Sequence, residues 1–152
     1  MKTSCKILIS SFFLLYCITS FAQSQTVHTI VLNVNTGEIV KPDIEPFCSF
    51  EGQDPNVPDK DFTTKVSVGD IIIWVGRTSS ENDVVNITSI NYRGGKNILG
   101  KNRIGDQDGI VMATVKTGVS GDEEKYTISF KVFNDGRRRN GTFLIDPKLT
   151  VH

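Results

Sequence analysis

The sequence predicts an all-β fold, an antiparallel sandwich of two sheets with about seven to eight strands. Short runs of alternating apolar and polar residues recur along the chain and are separated by turn segments rich in Gly, Asn and Asp. A dense β-branched run at 71–75 contains the only Trp of the chain, which is typical of a buried core strand. No segment shows an apolar stripe at helical spacing.

The first 22 residues are expected to be a secretory signal peptide and not part of the fold. Lys2 and Lys6 precede an almost wholly apolar stretch at 7–18, and small residues lead to a cleavage site after Ala22. The apolar stretch is too short to cross a bilayer of about 30 Å as a helix. We therefore expect a single mature domain, residues 23–152, that is secreted, periplasmic or attached to the cell surface.

The cysteines predict an exported domain without an internal disulfide. Cys5 and Cys17 lie in the predicted signal peptide. A lipoprotein anchor at Cys17 is the alternative, but the bulky Tyr16 stands where such signals have a small residue. Cys48 is then the sole cysteine of the mature domain, and we expect a buried, inert thiol, with an intermolecular disulfide or a reactive thiol as alternatives.

The charge balance argues against nucleic acid as a partner. Removal of Lys2 and Lys6 from the 17 basic residues leaves 15 against 17 acidic ones, so the mature domain is slightly negative. A protein that binds nucleic acid through its overall field would be strongly basic.

The first half of the mature domain contains four strand patterns around a proline-rich segment. Residues 26–34 alternate and end in a turn. The segment 38–61 contains four of the five prolines, so we expect a loop with a short edge strand at 47–50. Residues 62–68 alternate again, and a Gly-Asp turn connects them to the apolar run 71–75.

The second half contains four further strand patterns. The segments 84–92 and 109–116 alternate, and the clearest alternation begins at Lys125, with apolar residues at every second position from Tyr126 to Val132. The last strand, 142–151, is interrupted by Asp146-Pro147, which requires a bulge or an edge position.

Two sequence features resemble cupredoxin-like domains. The pattern Val66-x-Val68-Gly69-Asp70-x-Ile72-x-Trp74 is similar to the strand pair that opens many of them, and the order from Tyr126 to Val151 resembles their late strands. The resemblance implies a Greek-key sandwich, and an immunoglobulin-like arrangement is the alternative. A blue-copper site needs two His and one Cys, but the matching segments 79–83 and 134–141 contain neither, so we expect no copper and no other cofactor.

The basic residues supply the candidate binding site. Three consecutive guanidiniums at 137–139 could grip phosphate, sulfate or carboxylate groups. The middle of the chain is basic as well, and if both regions meet at one end of the sandwich they form a cationic rim. The candidate contact residues are Arg137, Arg138, Arg139, Arg93 and Lys96. The alternatives are a solubilising charge run, or pairing with the acidic 38–61 segment within or between copies.

No residue pattern predicts catalysis. Asp106-Gln107-Asp108-Gly109 resembles the start of a calcium loop, but apolar residues follow it, so we favour a polar turn. Asp122-Glu123-Glu124 is expected to be a solvated loop tip. His28 is expected to be structural and His152 exposed, and neither has a nearby nucleophile pattern.

We therefore expect a secreted, non-enzymatic β-sandwich that binds an extracellular anionic carbohydrate or a protein partner through its end loops. One alternative is a structural or assembly module of the cell surface or matrix. A second alternative is a small metal-dependent enzyme. Nucleic acid binding and stable membrane insertion after signal cleavage are not expected.

Overall fold

A computed structural model describes residues 24–152 as a sandwich of two β-sheets. The predicted signal peptide and its cleavage site after Ala22 lie outside the described residues. Within them, no helix is both long and apolar enough to cross a membrane. Two single-turn 3-10 helices, Glu45–Phe47 and Asp59–Asp61, interrupt the proline-rich segment.

Eleven strands form in residues 24–152. They are β1 (Val27–Val34), β2 (Cys48–Phe50), β3 (Thr63–Val66), β4 (Ile71–Thr78), β5 (Val84–Gly95), β6 (Arg103–Gly105), β7 (Val111–Thr114), β8 (Glu123–Asn134), β9 (Arg137–Arg138), β10 (Phe143–Ile145) and β11 (Lys148–Val151).

The smaller sheet has the strand order β2-β1-β4-β7. β1 pairs antiparallel with β2 and parallel with β4, and β7 pairs antiparallel with the other side of β4. The parallel pair arises because the chain passes through β2 and β3 between β1 and β4, and parallel strands need such a long connection. β7 is therefore one free edge of this sheet.

The larger sheet is built around β8 and has the order β3-β11-β8-β5-β6. β8 pairs antiparallel with β5 along most of its length, while β9 and β10 also pair with it. β3 pairs parallel with β11. β6 pairs antiparallel with the middle of β5 and forms the free edge on that side.

The prediction of an all-β, two-sheet sandwich is confirmed. Two pairings are parallel, however, so both sheets are mixed and not purely antiparallel. The break expected at Pro147 separates β10 from β11, and β6 and β9 are additional short strands. β8 begins at Glu123, two residues before the predicted start, because Glu124 lies in register with Gly95 and Leu149.

The alternating apolar side chains of β8 fill the space between the sheets. They are Tyr126, Ile128, Phe130 and Val132, each fully buried. Across from them, the indole Nε1 of Trp74 on β4 donates to the hydroxyl of Tyr126 at 3.1 Å, and the two rings meet edge to face at 5.8 Å. Both polar atoms of this aromatic pair are therefore satisfied inside an apolar core.

Substitution Tyr126→Phe should destabilise the fold by about 1–3 kcal/mol, because it leaves the buried indole N–H without an acceptor. The measurement is the free energy of unfolding from urea titration of the purified mature domain. Tyr92→Phe is the matched control: the Tyr92 hydroxyl donates to the Gly95 carbonyl at an exposed site, so water replaces the lost bond at a cost below about 1 kcal/mol. Equal losses in both variants would contradict the role assigned to the Trp74–Tyr126 bond.

Candidate functional site

An open cleft of about 740 Å³ lies between the free edges of the two sheets. All of β6 lines one wall, and Met112, Ala113 and Thr114 of β7 line the other. Further apolar surface comes from Leu99, Ile104 and Ile110. The cleft therefore combines an apolar lining with two strand edges.

The cleft exists because β6 and β7 form a hairpin that opens. At its turn, Gln107 and Ile110 exchange both backbone hydrogen bonds, at 2.8 and 3.1 Å. Beyond that pair, β6 joins β5 and β7 joins β4, and no ladder connects β6 with β7 in the described residues. The two strands enter different sheets, and the space between them is the cleft.

Three cationic side chains stand around the cleft. Lys101, Arg103 and Lys116 line it and are exposed, whereas Asp108 is the one acidic residue in its lining. None of the three cations has an ion-pair partner among residues 24–152. The local charge is therefore positive and available to an anionic ligand.

A buried carboxyl group holds the segment that leads into the cleft. Glu124 on β8 is 1% exposed, and its Oε2 accepts the backbone N–H of Leu99 at 3.0 Å. Its Oε1 has no hydrogen-bond partner in the described part of the chain. Burial raises the pKa of Glu124, and the N–H groups of Leu99 and Ile98 offset only part of that rise. The expectation of a solvated loop tip is thus wrong for Glu124.

The predicted basic residues separate into two groups. The first group lies near the start of β8. Arg93 follows Tyr92, which is in register with Tyr126 of β8, and Lys96 donates its backbone N–H to the carbonyl oxygen of Glu123 at 2.7 Å.

The arginine run lies at the other end of β8, because Arg137 pairs with Asn134. Arg103 is in register with Asn91, which is in register with Thr127, seven positions before Asn134. At about 3.3 Å per residue this is a separation of about 23 Å along the strand. The condition for a shared cationic rim, that both basic regions meet at one end of the sandwich, is therefore not met.

The three arginines of the run differ in what they contact. Arg137 and Arg138 are exposed, whereas the guanidinium of Arg139 donates to the carbonyl oxygen of Thr36 at 2.8 Å and that of Gly37 at 3.4 Å. The Asp83 carboxylate accepts from Thr36, from Asn134 at 2.8 Å and from the Asp135 N–H at 3.2 Å. This polar network joins the loops after β1, β4 and β8.

The same network lowers the pKa of the Asp83 carboxyl group. The Thr36 hydroxyl, followed by the Asn134 amide, the Asp135 N–H and the nearby charge of Arg139, lowers the pKa of this carboxyl. Arg139 is thus part of the fold. Of the arginine run, Arg137 and Arg138 are exposed to a ligand, although the guanidinium of Arg138 donates to the Gly141 carbonyl at 3.5 Å.

A second depression of about 420 Å³ surrounds Cys48 beside the proline-rich segment. Burial, and then the charge of Asp59, raise the pKa of the Cys48 thiol to about 12. The thiol therefore stays protonated at neutral pH and is a weak nucleophile, as an inert cysteine would be. Asp59 is itself buried, which raises the pKa of its carboxyl.

The two histidines contact groups away from Cys48. The Nε2 of His28 lies 2.8 Å from the Asp70 carboxylate, and the Nδ1 of His152 lies 3.1 Å from the carbonyl oxygen of Val66. Burial would raise the pKa of Asp70, but hydrogen bonds from His28 and from the N–H groups of Ser67 and Thr26 outweigh it and lower the pKa. Asp70 therefore fastens the start of β1 to the turn before β4.

The segment that resembles a calcium loop forms the tight turn between β6 and β7. Asp106 accepts the N–H of Gly109 at 3.2 Å, and Asp108 and Gly109 adopt positive φ angles of 53° and 80°. The prediction of a polar turn is confirmed. In residues 24–152, no group of three or more His, Cys, Asp or Glu side chains is arranged to hold a metal ion.

The cleft could not be predicted from the sequence, because its walls come from strands that belong to different sheets. Lys116 was not singled out, and the outward edges of β6 and β7 become visible only once the pairing of the strands is known. The available signal was the alternation around Met112, which did not indicate which face is buried.

The structure is a two-sheet β-sandwich with a cationic cleft at the sheet edges. Comparison with known proteins supports this fold and gives no information on function. No family model and no curated protein match the chain. The structure is similar to the inclusion body protein PixA from Burkholderia cenocepacia J2315, with a TM-score of 0.59, 12% identity, and coverage of 87% of this chain and 98% of that one.

Two further solved structures show weaker similarity. One is a multicopper oxidase, with a TM-score of 0.39, 13% identity, and coverage of 84% of this chain and 44% of that one. The other is the N-terminal domain of ORF48 from phage TP901-1, with a TM-score of 0.37, 10% identity, and coverage of 84% and 99%. Scores this low carry no argument about function.

Arg139→Ala should destabilise the fold by about 1–2 kcal/mol, because the carbonyl of the buried Thr36 loses a charge-assisted hydrogen bond. Arg137→Ala is the control with the same loss of charge at an exposed side chain, and it should change stability by less than about 0.5 kcal/mol. Urea unfolding of both variants measures the difference. A stable Arg139→Ala protein would show that the guanidinium is dispensable for the fold.

The buried carboxyl of Glu124 should make stability depend on pH in a defined direction. Its pKa is raised in the folded protein, so the folded state binds more protons than the unfolded state above pH 4.5, the ordinary value of the group. The free energy of unfolding of the wild type should therefore fall relative to that of Glu124→Gln as pH rises through this window, with a slope of at most about 1.4 kcal/mol per pH unit. Urea titrations from acidic to neutral pH test this, and parallel curves for the two proteins would refute it.

Proposed function

We propose that this protein is a secreted, non-enzymatic binding module that recognises an extracellular anionic ligand in the cleft between β6 and β7. The observation that carries the proposal is the set of three unpaired cations, Lys101, Arg103 and Lys116, around an open, partly apolar cleft. Secretion is supported by the basic, apolar and small-residue pattern that ends at Ala22. Arg93 and Lys96 extend the positive charge at the same end of β8.

We also propose that the sandwich is cupredoxin-like and lacks copper. Support comes from the Val66–Trp74 sequence pattern and from the mixed sheets, in which β1 lies parallel to β4. The residues that match the copper-ligand segments include neither His nor Cys.

The alternative function is a structural or assembly module. It is favoured by the edge strands β2 and β3, which lie outside the cationic cleft, because exposed strand edges can pair with a neighbouring copy. Sedimentation of the mature protein over a wide concentration range separates the two proposals: a monomer throughout supports the binding module, and reversible oligomers support assembly.

Charge reversal in the cleft should weaken the binding of anions. Lys101→Glu with Arg103→Glu should weaken the binding of a heparin-derived oligosaccharide or of poly-glutamate at least about tenfold, since it replaces attraction by repulsion at the ligand. Isothermal titration at low and at physiological salt measures the affinity, and binding to the wild type should weaken as salt increases.

The double variant Arg137→Glu with Arg138→Glu is the matched control, because it changes the charge equally about 23 Å away along β8. At physiological salt, charges separated by more than about 8 Å are largely screened, so this variant should bind as the wild type does. Loss of binding only in this control would place the ligand at the arginine run instead. Absence of binding to the wild type would refute the anion-binding proposal.

A further inference from the structure

We propose that the ligand of the cleft is an anionic amphiphile, a molecule with one carboxylate or sulfate head and an unbranched apolar chain. This inference rests on the anion-binding function proposed above and specifies its ligand class. Three features carry it: the apolar outer face of the smaller sheet, the order of side chains along β7, and the position of the charges relative to that order. The chain of the ligand lies on the outer surface of β7 and not between β6 and β7.

The outer face of the smaller sheet is apolar, although it points away from the core. Ile72 and Trp74 are fully buried on the inner face of β4, and successive residues of a strand alternate between the two faces. The apolar residues of the outer face are the intervening ones and their cross-strand neighbours, Val27, Val31, Ile71, Ile73, Val75 and Met112. A sheet that covers a core on one side only commonly has a polar outer face.

The larger sheet shows this usual pattern. The outer face of β8 alternates with the buried row that runs from Tyr126 to Val132, and it carries Lys125, Thr127, Ser129 and Lys131. The apolar outer face is therefore a property of the smaller sheet and not of the whole fold. Exposed apolar patches mark surfaces that bind a partner or a ligand.

The outward row of β7 changes from cationic to apolar along the strand. Val111 and Val115 are buried in the core, so the outward row consists of the residues that alternate with them, Lys116, Thr114, Met112 and Ile110. Met112 and Ile110 are 58% and 43% exposed, and Met112 is in register with Ile73 on the same outer face. The apolar end of the row thus continues into the apolar face of β4.

The cations gather at the other end of this row. The backbone N–H of Lys116 donates to the Ile98 carbonyl oxygen at 2.8 Å, and a Cβ atom placed on Gly100 would lie 3.5 Å from the Lys116 side chain. The segment 98–100 therefore passes beside Lys116, and Lys101 and Arg103 follow directly. Three exposed cations at one end can bind a carboxylate or sulfate head.

Acidic groups lie at the apolar end and set the direction of the ligand. Asp106 and Asp108 belong to the turn between β6 and β7, close to Ile110 in the chain, and both are exposed. They repel an anionic head from the turn, whereas the cations attract it to the opposite end. Charge complementarity therefore places the head beside Lys116 and the chain over Met112.

The distances suit a chain of medium length. Lys116 and Met112 are four residues apart in the sequence, which is about 13 Å along a strand. An extended chain of ten carbon atoms covers about 12 Å, because its bonds are about 1.5 Å long and zigzag. A head at the cations thus places the far end of such a chain over Met112 and Ile73. A polysaccharide with a charge on every unit would leave these apolar side chains in water.

The first test compares ligands that differ in chain length or in the charge of the head. Titration calorimetry of the mature protein uses butanoate, heptanoate and decanoate below the concentrations at which they form micelles. Affinity should rise at least about tenfold from butanoate to decanoate, because each methylene group that leaves water strengthens binding. Decyltrimethylammonium carries the same chain with the opposite charge and should bind at least about tenfold more weakly than decanoate.

A pair of variants tests the position of the chain. Met112→Ser removes apolar surface from the chain site without changing a charge, so it should weaken decanoate binding at least about fivefold and leave butanoate binding unchanged. Leu144→Ser is the matched control, because Leu144 is 57% exposed and lies on β10 of the larger sheet. This control should bind decanoate as the wild type does. Urea unfolding verifies that both variants are folded.

NMR supplies the structural readout. Nuclear Overhauser contacts between the decanoate chain and protein methyl groups are expected at Met112, Ile110 and Ile73, and not at Leu144. Cosedimentation with vesicles of phosphatidylcholine and phosphatidylglycerol distinguishes a free amphiphile from the same chemistry in a membrane. We expect binding of decanoate in solution without retention on the vesicles.

The outcomes separate this inference from the proposed function. Equal affinities for butanoate and decanoate, both weakened by Lys101→Glu with Arg103→Glu, would overturn the amphiphile and leave the anion-binding function standing. Equal losses in Met112→Ser and Leu144→Ser would overturn the placement of the chain on β7.

Two further results would give the apolar face to a different occupant. Retention on vesicles without binding of decanoate would overturn the inference in favour of a membrane surface. A dimer that Met112→Ser dissociates, again without binding of decanoate, would overturn it in favour of a second copy of this chain. No binding of any anion would overturn both this inference and the proposed function.

Discussion

The contact between Trp74 and Tyr126 joins the two sheets inside the core, and the edges of these same sheets border the cleft. Trp74 lies on β4 in register with Val111 of β7, so it stands one strand away from one wall. Tyr126 lies on β8 in register with Tyr92 of β5, which pairs with β6 at the other wall. This buried, hydrogen-bonded aromatic pair resists sliding of one sheet over the other, because a shift would leave the indole N–H in the core without an acceptor. The aromatic pair therefore helps to hold the relative position of the two sheets to which β6 and β7 belong.

An open pair of strand edges normally favours aggregation, and the charges around this one change which partners it can accept. Exposed edges pair with other chains unless charged side chains, short strands or bulges discourage them. β6 and β7 are short, and Lys101, Arg103 and Lys116 stand beside them. Two cationic edges repel each other, so pairing between copies through the same cleft is disfavoured, whereas an anionic group is attracted. The same side chains can thus protect the edge and select its ligand.

The elements that the sequence predicted well are those whose signal is local. Every second residue from Tyr126 to Val132 is apolar, and the structure buries all of them. β6 could not be found in this way, because a three-residue strand with Ile104 as its only buried residue has no measurable period. Glu124 was misjudged for the opposite reason: an acidic residue in an acidic run indicates solvent, and only the distant Leu99 N–H makes its burial possible. The mixed pairing of the sheets likewise depends on which strands meet after long connections, and no local pattern records that.

Consecutive position in the sequence does not give the three arginines of the run the same surroundings, because Arg139 makes contacts within the fold that Arg137 does not. A guanidinium that donates to the carbonyl of a buried residue gives up that hydrogen bond if it turns to a ligand, and Arg139 is in that position through Thr36. The cations at the cleft come from two separate segments of the chain, 101–103 and 116, yet none of them is neutralised by an ion pair in the described residues. An electrostatic field adds over space and not over sequence, so dispersed but unpaired charges that converge on a concave, partly apolar surface attract an anion more effectively than adjacent charges on a convex turn. Recognition of the cleft therefore required the strand order, whereas the arginine run was visible without it.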